Sequence, residues 1–212
     1  ARKEINLFAE RMRRMFGMLN DLLHTTNEND FNKLFSRIEK YENISDNMEL
    51  EIANYLNMVS EGRLSSESKL EIRGMLREVT EIESIGDSCY NLARTINRKR
   101  SGGNDFTEKQ YEHIHQMMQL TSDALAHMIA VVEDDHHVVD VNKSFNIENE
   151  INNYRAQLKN QNVVDVNNKE YDYQMGVHYM DIIGECEKLG DYVVNVVEAR
   201  TNVKEKKTGD NR

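Results

Sequence analysis

The sequence predicts an all-α protein, six long helices arranged as two tandem three-helix bundles. Three observations carry that expectation. The chain has 212 residues with no proline, no tryptophan and only 10 glycines, and such a chain is most simply built from long helices joined by short turns. Apolar residues recur at spacings of three and four, the helical period. One pattern, E-x-E-x-[IL]-G-D-x-x-x-N, occurs at 81–91 and returns 104 residues later at 185–195, which argues for an internal duplication.

The first helix is expected from about Glu4 to Thr26, with Leu7, Phe8, Met12, Met15, Leu19, Leu22 and Leu23 inward and Arg11, Arg13 and Arg14 largely opposite. Asn27-Glu28-Asn29-Asp30 forms a turn, with Asp30 as the expected N-cap of the next helix. That helix runs from about Phe31 to Val59. Its seam of Leu34, Ile38, Tyr41, Ser45, Met48, Ile52, Tyr55 and Val59 alternates steps of four and three, as packing against neighbouring helices requires. A turn containing Gly62 follows, and Ser66 is the expected cap of the third helix, about Glu67 to Arg98. Its seam is Ile72, Met75, Val79, Ile82, Gly86, Cys89, Ala93 and Ile96. A glycine inside a helix costs about 1 kcal/mol against alanine, so Gly86 implies the close approach of another helix or a ligand.

Arg98 to Asn104, with Gly102 and Gly103, ends the helix and the first repeat, 1–100; basic residues followed by glycine are an ordinary stop signal. The second repeat, 105–202, follows the same plan. Its helices run from about Thr107 to Glu133, with Ile114, Met117, Met118, Leu125, Met128 and Ile129 inward, then from about Asn142 to Val166, and from about Glu170 to Thr201. The last has Gly176, Tyr179, Ile183, Cys186, Gly190, Val193 and Val197 on its seam. The polar tail, 203–212, is expected to be disordered.

Within each repeated pattern an acid, a second acid and an amide fall at i, i+4 and i+8: Glu83, Asp87 and Asn91, then Glu187, Asp191 and Asn195. On a helix these share one face. Like charges at i, i+4 repel by a few tenths of a kcal/mol, so acids paired twice imply something positive between them. Glu42-x-x-x-Asp46 on helix two has a counterpart in Glu148-x-x-x-Asn152, 106 residues on, in which Asn152 replaces an acid. Helices two and three share a turn near Arg63. Glu42/Asp46 stand about 20 residues before it and Glu83/Asp87 about 21 after, so at ~1.5 Å per residue both pairs lie about 30 Å from the turn. Antiparallel neighbours would therefore hold four carboxylates at one level. The same arithmetic around Asn167-Asn168 gives a looser match in the second half.

These residues resemble the PhoU family, whose signature is an E/D-x-x-x-D pair on two helices of each of two three-helix repeats, with a stretch close to E-R-I-G-D-x-x-x-N-I-A. Glu83-Ser84-Ile85-Gly86-Asp87 with Asn91-Leu92-Ala93 fits it, as does Glu187-Lys188-Leu189-Gly190-Asp191 with Asn195-Val196. The arginine of the family stretch is Ser84 in one copy and Lys188 in the other. The resemblance implies a non-enzymatic regulatory domain that modulates inorganic phosphate uptake and whose acidic pairs can hold iron or zinc. By carry-over Glu42, Asp46, Glu83 and Asp87 form one metal-binding patch, and Glu148, Glu187 and Asp191 a second. Oxygen-only ligands suit hard cations, Fe3+, Mn2+, Mg2+ or Ca2+, better than a structural Zn2+, and no organic cofactor is implied.

The resemblance covers two kinds of protein, the cytoplasmic C-terminal part of a bacterial sodium/phosphate cotransporter and a free-standing regulator linking a phosphate ABC transporter to a sensor kinase. The first is the expectation. The chain begins at Ala1 without a start methionine, its N-terminus carries Arg2, Lys3, Arg11, Arg13 and Arg14, as expected just inside a membrane, and its repeated stretches depart from the signature. The implied partner is a membrane phosphate transporter, in cis or in trans, at the inner face of the plasma membrane, and a homodimer is compatible with it. The formal net charge of −10 argues against a nucleic-acid partner. No apolar run approaches the ~20 residues that span a bilayer, and no signal-peptide pattern is present.

Other signals are weaker. A ferritin-like di-iron enzyme needs two Glu-x-x-His motifs; Glu112-x-x-His115 matches once and Asp21-x-x-His24 approximately. Asp134-Asp135-His136-His137 with Asp140 reads as loop polarity before it reads as a metal site. The methionines fall mostly at inward positions of helices one and four and read as core filling. Cys89 and Cys186 lie at core positions and read as small buried hydrophobes in a reducing compartment. No nucleophile elbow, phosphate loop or triad spacing appears.

Overall fold

The structure, a computed structural model, describes residues 1–209, with side chains described through Asn202. It contains six helices: α1 (Arg2–His24), α2 (Glu28–Ser60), α3 (Ser66–Ser101), α4 (Glu108–Glu133), α5 (Asn142–Asn167) and α6 (Tyr173–Gly209). Among the described residues no strand occurs. Each helix of the first three packs on the other two, and the same holds for α4, α5 and α6. The bundles meet along α3 against α6 and α1 against α4, leaving α2 and α5 on the outside.

The α3/α6 contact is antiparallel. Glu78 meets Arg200 and Asn91 meets Glu185, and just outside the helix ends Asn104 meets Asp172. The central seams are as the sequence implies: Ile72, Val79, Ile82, Cys89, Ala93 and Ile96 are buried on α3, and Tyr179, Ile183, Cys186, Val193 and Val197 on α6. Both cysteines are free and buried.

Several boundaries and caps differ from the sequence expectation. Asn27, not Asp30, caps α2, its side chain accepting from the Asp30 amide at 3.1 Å; the turn tightens one step earlier, and Asp30 falls in the first helical turn, where an acid favours the helix dipole. Ser65 rather than Ser66 caps α3 by the same bond to the Ser68 amide. The third helix runs past Arg98 to Ser101, with Gly103 at φ 77 completing the stop. The sixth begins at Tyr173, because Lys169 takes φ 60 and breaks the chain direction first. It is traced to Gly209, so the tail expected to be disordered, 203–212, lies outside the residues whose side chains are described.

Two seam residues turn outward. Leu7 is 65% and Tyr55 50% exposed, and Leu56 is buried in place of Tyr55. Over 33 residues of α2 the buried stripe drifts around a straight helix, since 3.6 residues per turn and a 3.5 repeat part by about 20° per heptad. Asp134 proves to be a loop brace, accepting from the amides of His136 and Val139.

Candidate metal centre

Gly86 sets the spacing at which α1 and α2 lie against α3. A Cβ there would stand 2.8 Å from Met12 Sδ, 2.9 Å from Ser45 Oγ and 3.5 Å from Glu42 Oε2. Absence of that one carbon lets α2 press Ser45 and Glu42 onto α3. The close approach inferred from the mid-helix glycine is therefore real.

Along this contact the four carboxylates of the first repeat converge. Glu42 and Asp46 from α2 and Glu83 and Asp87 from α3 each offer an oxygen, and these oxygens all lie within 4.8 Å of one another. Glu42 and Glu83 are half-buried, while Asp46 and Asp87 are exposed at the rim. Burial, then the neighbouring Asp87, Asp46 and Glu83, push the Glu42 carboxyl up to about 9. Burial and its acidic neighbours push Glu83 up to about 8. Like charges and desolvation act in the same sense, both favouring the neutral form. Glu49 is also raised, by burial first and then by Asp46 and Asp87. The sequence reading missed it, although Glu42, Asp46 and Glu49 continue the four-three step that marks one helix face.

Glu42 Oε2 and Ser45 Oγ are buried without a hydrogen-bond partner among the described residues. Orphaned buried oxygens cost on the order of 1–3 kcal/mol each. Protons on the raised carboxyls, or a cation among the oxygens, would relieve the strain on the site. The donor set is all oxygen and carries up to four negative charges, so it fits a hard cation such as Fe3+, Mn2+, Mg2+ or Ca2+ better than zinc, which favours nitrogen and sulfur.

The second repeat is assembled differently. Glu148, on α5, lies near Asp191 and Asn152; burial and then Asp191 raise its carboxyl, while Asn152 opposes the shift by hydrogen bonding. Glu187 is turned to Arg155, whose Nε stands 3.6 Å from its Oε2. Burial raises Glu187, and Arg155 pulls it back. Among the described residues these carboxylates do not form a group of three within mutual ligand reach. Arg155, which the sequence reading did not single out, supplies a positive charge inside the fold where the first repeat has none.

The amides of the repeated pattern leave the acid stripe. Asn91 Nδ2 donates to Glu185 Oε1 at 3.3 Å, and Asn195 Nδ2 donates to Glu81 Oε2 at 3.1 Å. The two bonds are mates under the 104-residue repeat. In each E-x-E, the first glutamate accepts from the asparagine of the other copy, while the second faces its own bundle, Glu83 in the carboxylate cluster and Glu187 against Arg155. The pattern therefore places the junction between bundles and the first-repeat carboxylate cluster two residues apart on α3. The carboxylate group found among the described residues contains no histidine, so Glu112-x-x-His115 takes no part in it.

Comparison with known proteins agrees with this architecture. The PhoU domain model matches residues 5–96 and 114–199. Two solved structures share the fold. The phosphate transport system regulatory protein PhoU from Streptococcus pneumoniae gives a TM-score of 0.76 at 14% identity, over 95% of this chain and 92% of that one. PhoU from Pseudomonas aeruginosa gives 0.73 at 14% identity, over 97% and 95%. No curated protein sequence matches. No helix among the described residues is long and apolar enough to cross a membrane. With its two repeats each matched, and the doubled acid–glycine–acid pattern at the heart of both, the chain belongs to the PhoU domain family.

Proposed function

We propose that this chain regulates inorganic phosphate uptake from the cytoplasm, without catalysis, by packing against a membrane phosphate transporter or the signalling partner of one. Family membership supports the coarse reading. The likeness to two PhoU proteins, one of them a phosphate transport system regulatory protein, supports a regulator of the free-standing kind ahead of the cotransporter extension that the basic N-terminus suggested.

The observation that carries the mechanism is the convergence of Glu42, Asp46, Glu83 and Asp87. These residues hold α2 and α3 at a level where their charges repel unless neutralised. A hard cation, when bound, would supply the positive charge that removes the repulsion. Glu42 and Glu83, half-buried, would provide the inner ligands and Asp46 and Asp87 the rim. Ser45 and Gly86 keep the two helices close enough for all four to reach one point. Loading or emptying of this site changes the packing of α2, an outer helix that a partner can touch. The carboxylates of the second repeat would form a weaker site, or none, with Arg155 in place.

The test has two arms. Elemental analysis of the purified chain should find a hard cation that is lost in Glu83→Ala and Asp87→Ala. In cells, removing the chain should raise phosphate uptake in phosphate-rich medium, and the intact chain, but not Asp87→Ala, should restore control. Uptake indifferent to the chain would end the regulatory reading, and metal content indifferent to both variants would end the cation reading.

A further inference from the structure

Two segments that take no part in the acid cluster come together elsewhere. Asp21-x-x-His24 closes α1, and Glu112-x-x-His115 lies near the start of α4. The helices belong to different repeats, yet their imidazoles meet. His24 Nε2 stands 2.6 Å from His115 Nε2, with ring centroids 4.7 Å apart. Both rings are exposed and border a cleft of about 580 Å3 that Gly17, Asn20, Gln119 and Ser122 also line. Gly17 has no packing reason to be glycine, since a Cβ there would meet nothing within 4 Å. A mid-helix glycine costs about 1 kcal/mol against alanine, and here its one structural effect is to widen the cleft beside the histidines.

At this distance one ring donates its Nε2–H to the Nε2 of the other, so a hydrogen bond joins the two imidazoles and both Nε2 atoms point to one spot beside the cleft. We propose that His24 and His115 form a site for one borderline transition-metal ion of the Zn2+, Ni2+ or Cu2+ class, which ties α1 to α4 and so the two bundles to each other. Imidazole nitrogen is the preferred ligand of these ions. With Zn–N bonds of about 2.0–2.1 Å and tetrahedral angles, the two nitrogens would sit about 3.3 Å apart, an opening of under ~1 Å that exposed rings beside a cleft can make. The cleft leaves room for water in the remaining positions, with the Asn20 and Gln119 amides and the Ser122 hydroxyl along its wall. This donor set differs in kind from the all-oxygen cluster, so the two sites select different ions.

The test uses the full chain carrying Glu83→Gln and Asp87→Gln, which silences the oxygen cluster. Cu2+ added at one equivalent should give an electron paramagnetic resonance spectrum with nitrogen hyperfine structure, and Zn2+ should raise Tm. His24→Ala or His115→Ala should each weaken Cu2+ affinity by more than about tenfold, as even loss of an outer-shell partner can, while His136→Ala, in the exposed α4–α5 loop, should change nothing. In the unmutated chain, Zn2+ should move the Nε2 resonances of His24 and His115 together. Binding that survives both alanine variants, or unmutated histidines that ignore Zn2+, would overturn the site and leave a shared proton between the rings.

Discussion

Glu42 shows how one side chain converts packing into pH dependence. Its carboxyl is pushed up to about 9 and that of Glu83 to about 8, from an ordinary value of 4.5. Both groups are thus more easily protonated in the folded chain than in the unfolded one. Linkage then fixes the sign: their favourable contribution is complete below about pH 4.5 and is lost as pH rises through 8 and 9. Cation-free protein should therefore lose Tm between pH 5 and pH 9 in thermal melts, and Glu42→Gln should flatten that fall. A hard cation that competes for the same oxygens should restore stability at high pH and release protons on binding. A Tm independent of pH over this range, in the absence of cation, would contradict the arrangement. The acids were legible in the sequence because spacing on two helices and the distance to a shared turn fix their level. Ser45 was legible only as a seam position. Its orphaned hydroxyl depends on how closely α2 approaches, which the sequence indicates only through Gly86.

At the level of whole helices, the buried ion pair between the bundles is one that no local pattern reveals. Arg200 on α6 forms a two-pronged contact with Glu78 on α3, Nε to Oε1 at 2.6 Å and Nη2 to Oε2 at 3.0 Å, and donates to the Val132 carbonyl at the end of α4 and to Asn6 Oδ1 on α1. Four helices, two from each bundle, meet on this guanidinium. The side chains of Arg200 and Glu78 are 4% and 2% exposed, so either charge left alone would be buried without compensation. Arg200→Met should cost about 3–5 kcal/mol in urea unfolding, and Arg200→Met with Glu78→Met should recover much of it, because replacing both partners removes the uncompensated charge. Equal destabilisation by the single and double variants would show that the guanidinium's other bonds, to Val132 and Asn6, matter more than the ion pair. Glu78 and Arg200 each sit among other charged residues and 122 positions apart, so the sequence offers no reason to pair them. The exchange of Asn91 and Asn195 between copies was hidden for a related reason. Helical spacing gives the face a residue starts from, whereas the reach of its side chain depends on which helix packs alongside.

Across the whole molecule the duplication is structural but not chemical. The reciprocal asparagine–glutamate bonds repeat faithfully, as do Gly86 and Gly190, each facing the outer helix of its own bundle, α2 and α5. The acidic faces do not. In the first repeat four carboxylates face each other with no internal cation; in the second, Asn152 removes one charge and Arg155 offsets another. Arg155 Nε is buried and makes no hydrogen bond, so its hold on Glu187 is an ion pair at 3.6 Å without directional support. A charge held so loosely acts chiefly through its sign, and removing it should leave the helices in place while restoring repulsion among Glu148, Glu187 and Asp191. If the proposed cation site exists in the first repeat, the chain should bind one hard cation tightly, and Arg155→Gln together with Asn152→Asp should add a second. Calorimetric titration with Mn2+, backed by elemental analysis, counts them. A stoichiometry of two in the unmodified chain would show that Arg155 yields its place to a metal. A stoichiometry that stays at one in the double variant would mean that the second repeat lacks the close helix approach that Gly86 provides in the first. At Gly190 a Cβ would meet only Ile151, at 3.3 Å, so α5 already has an apolar side chain where α2 presents Ser45. That difference predicts a second site weaker than the first even after its charges are restored, with the Mn2+ affinities of the two sites in the double variant remaining distinguishable in a single titration.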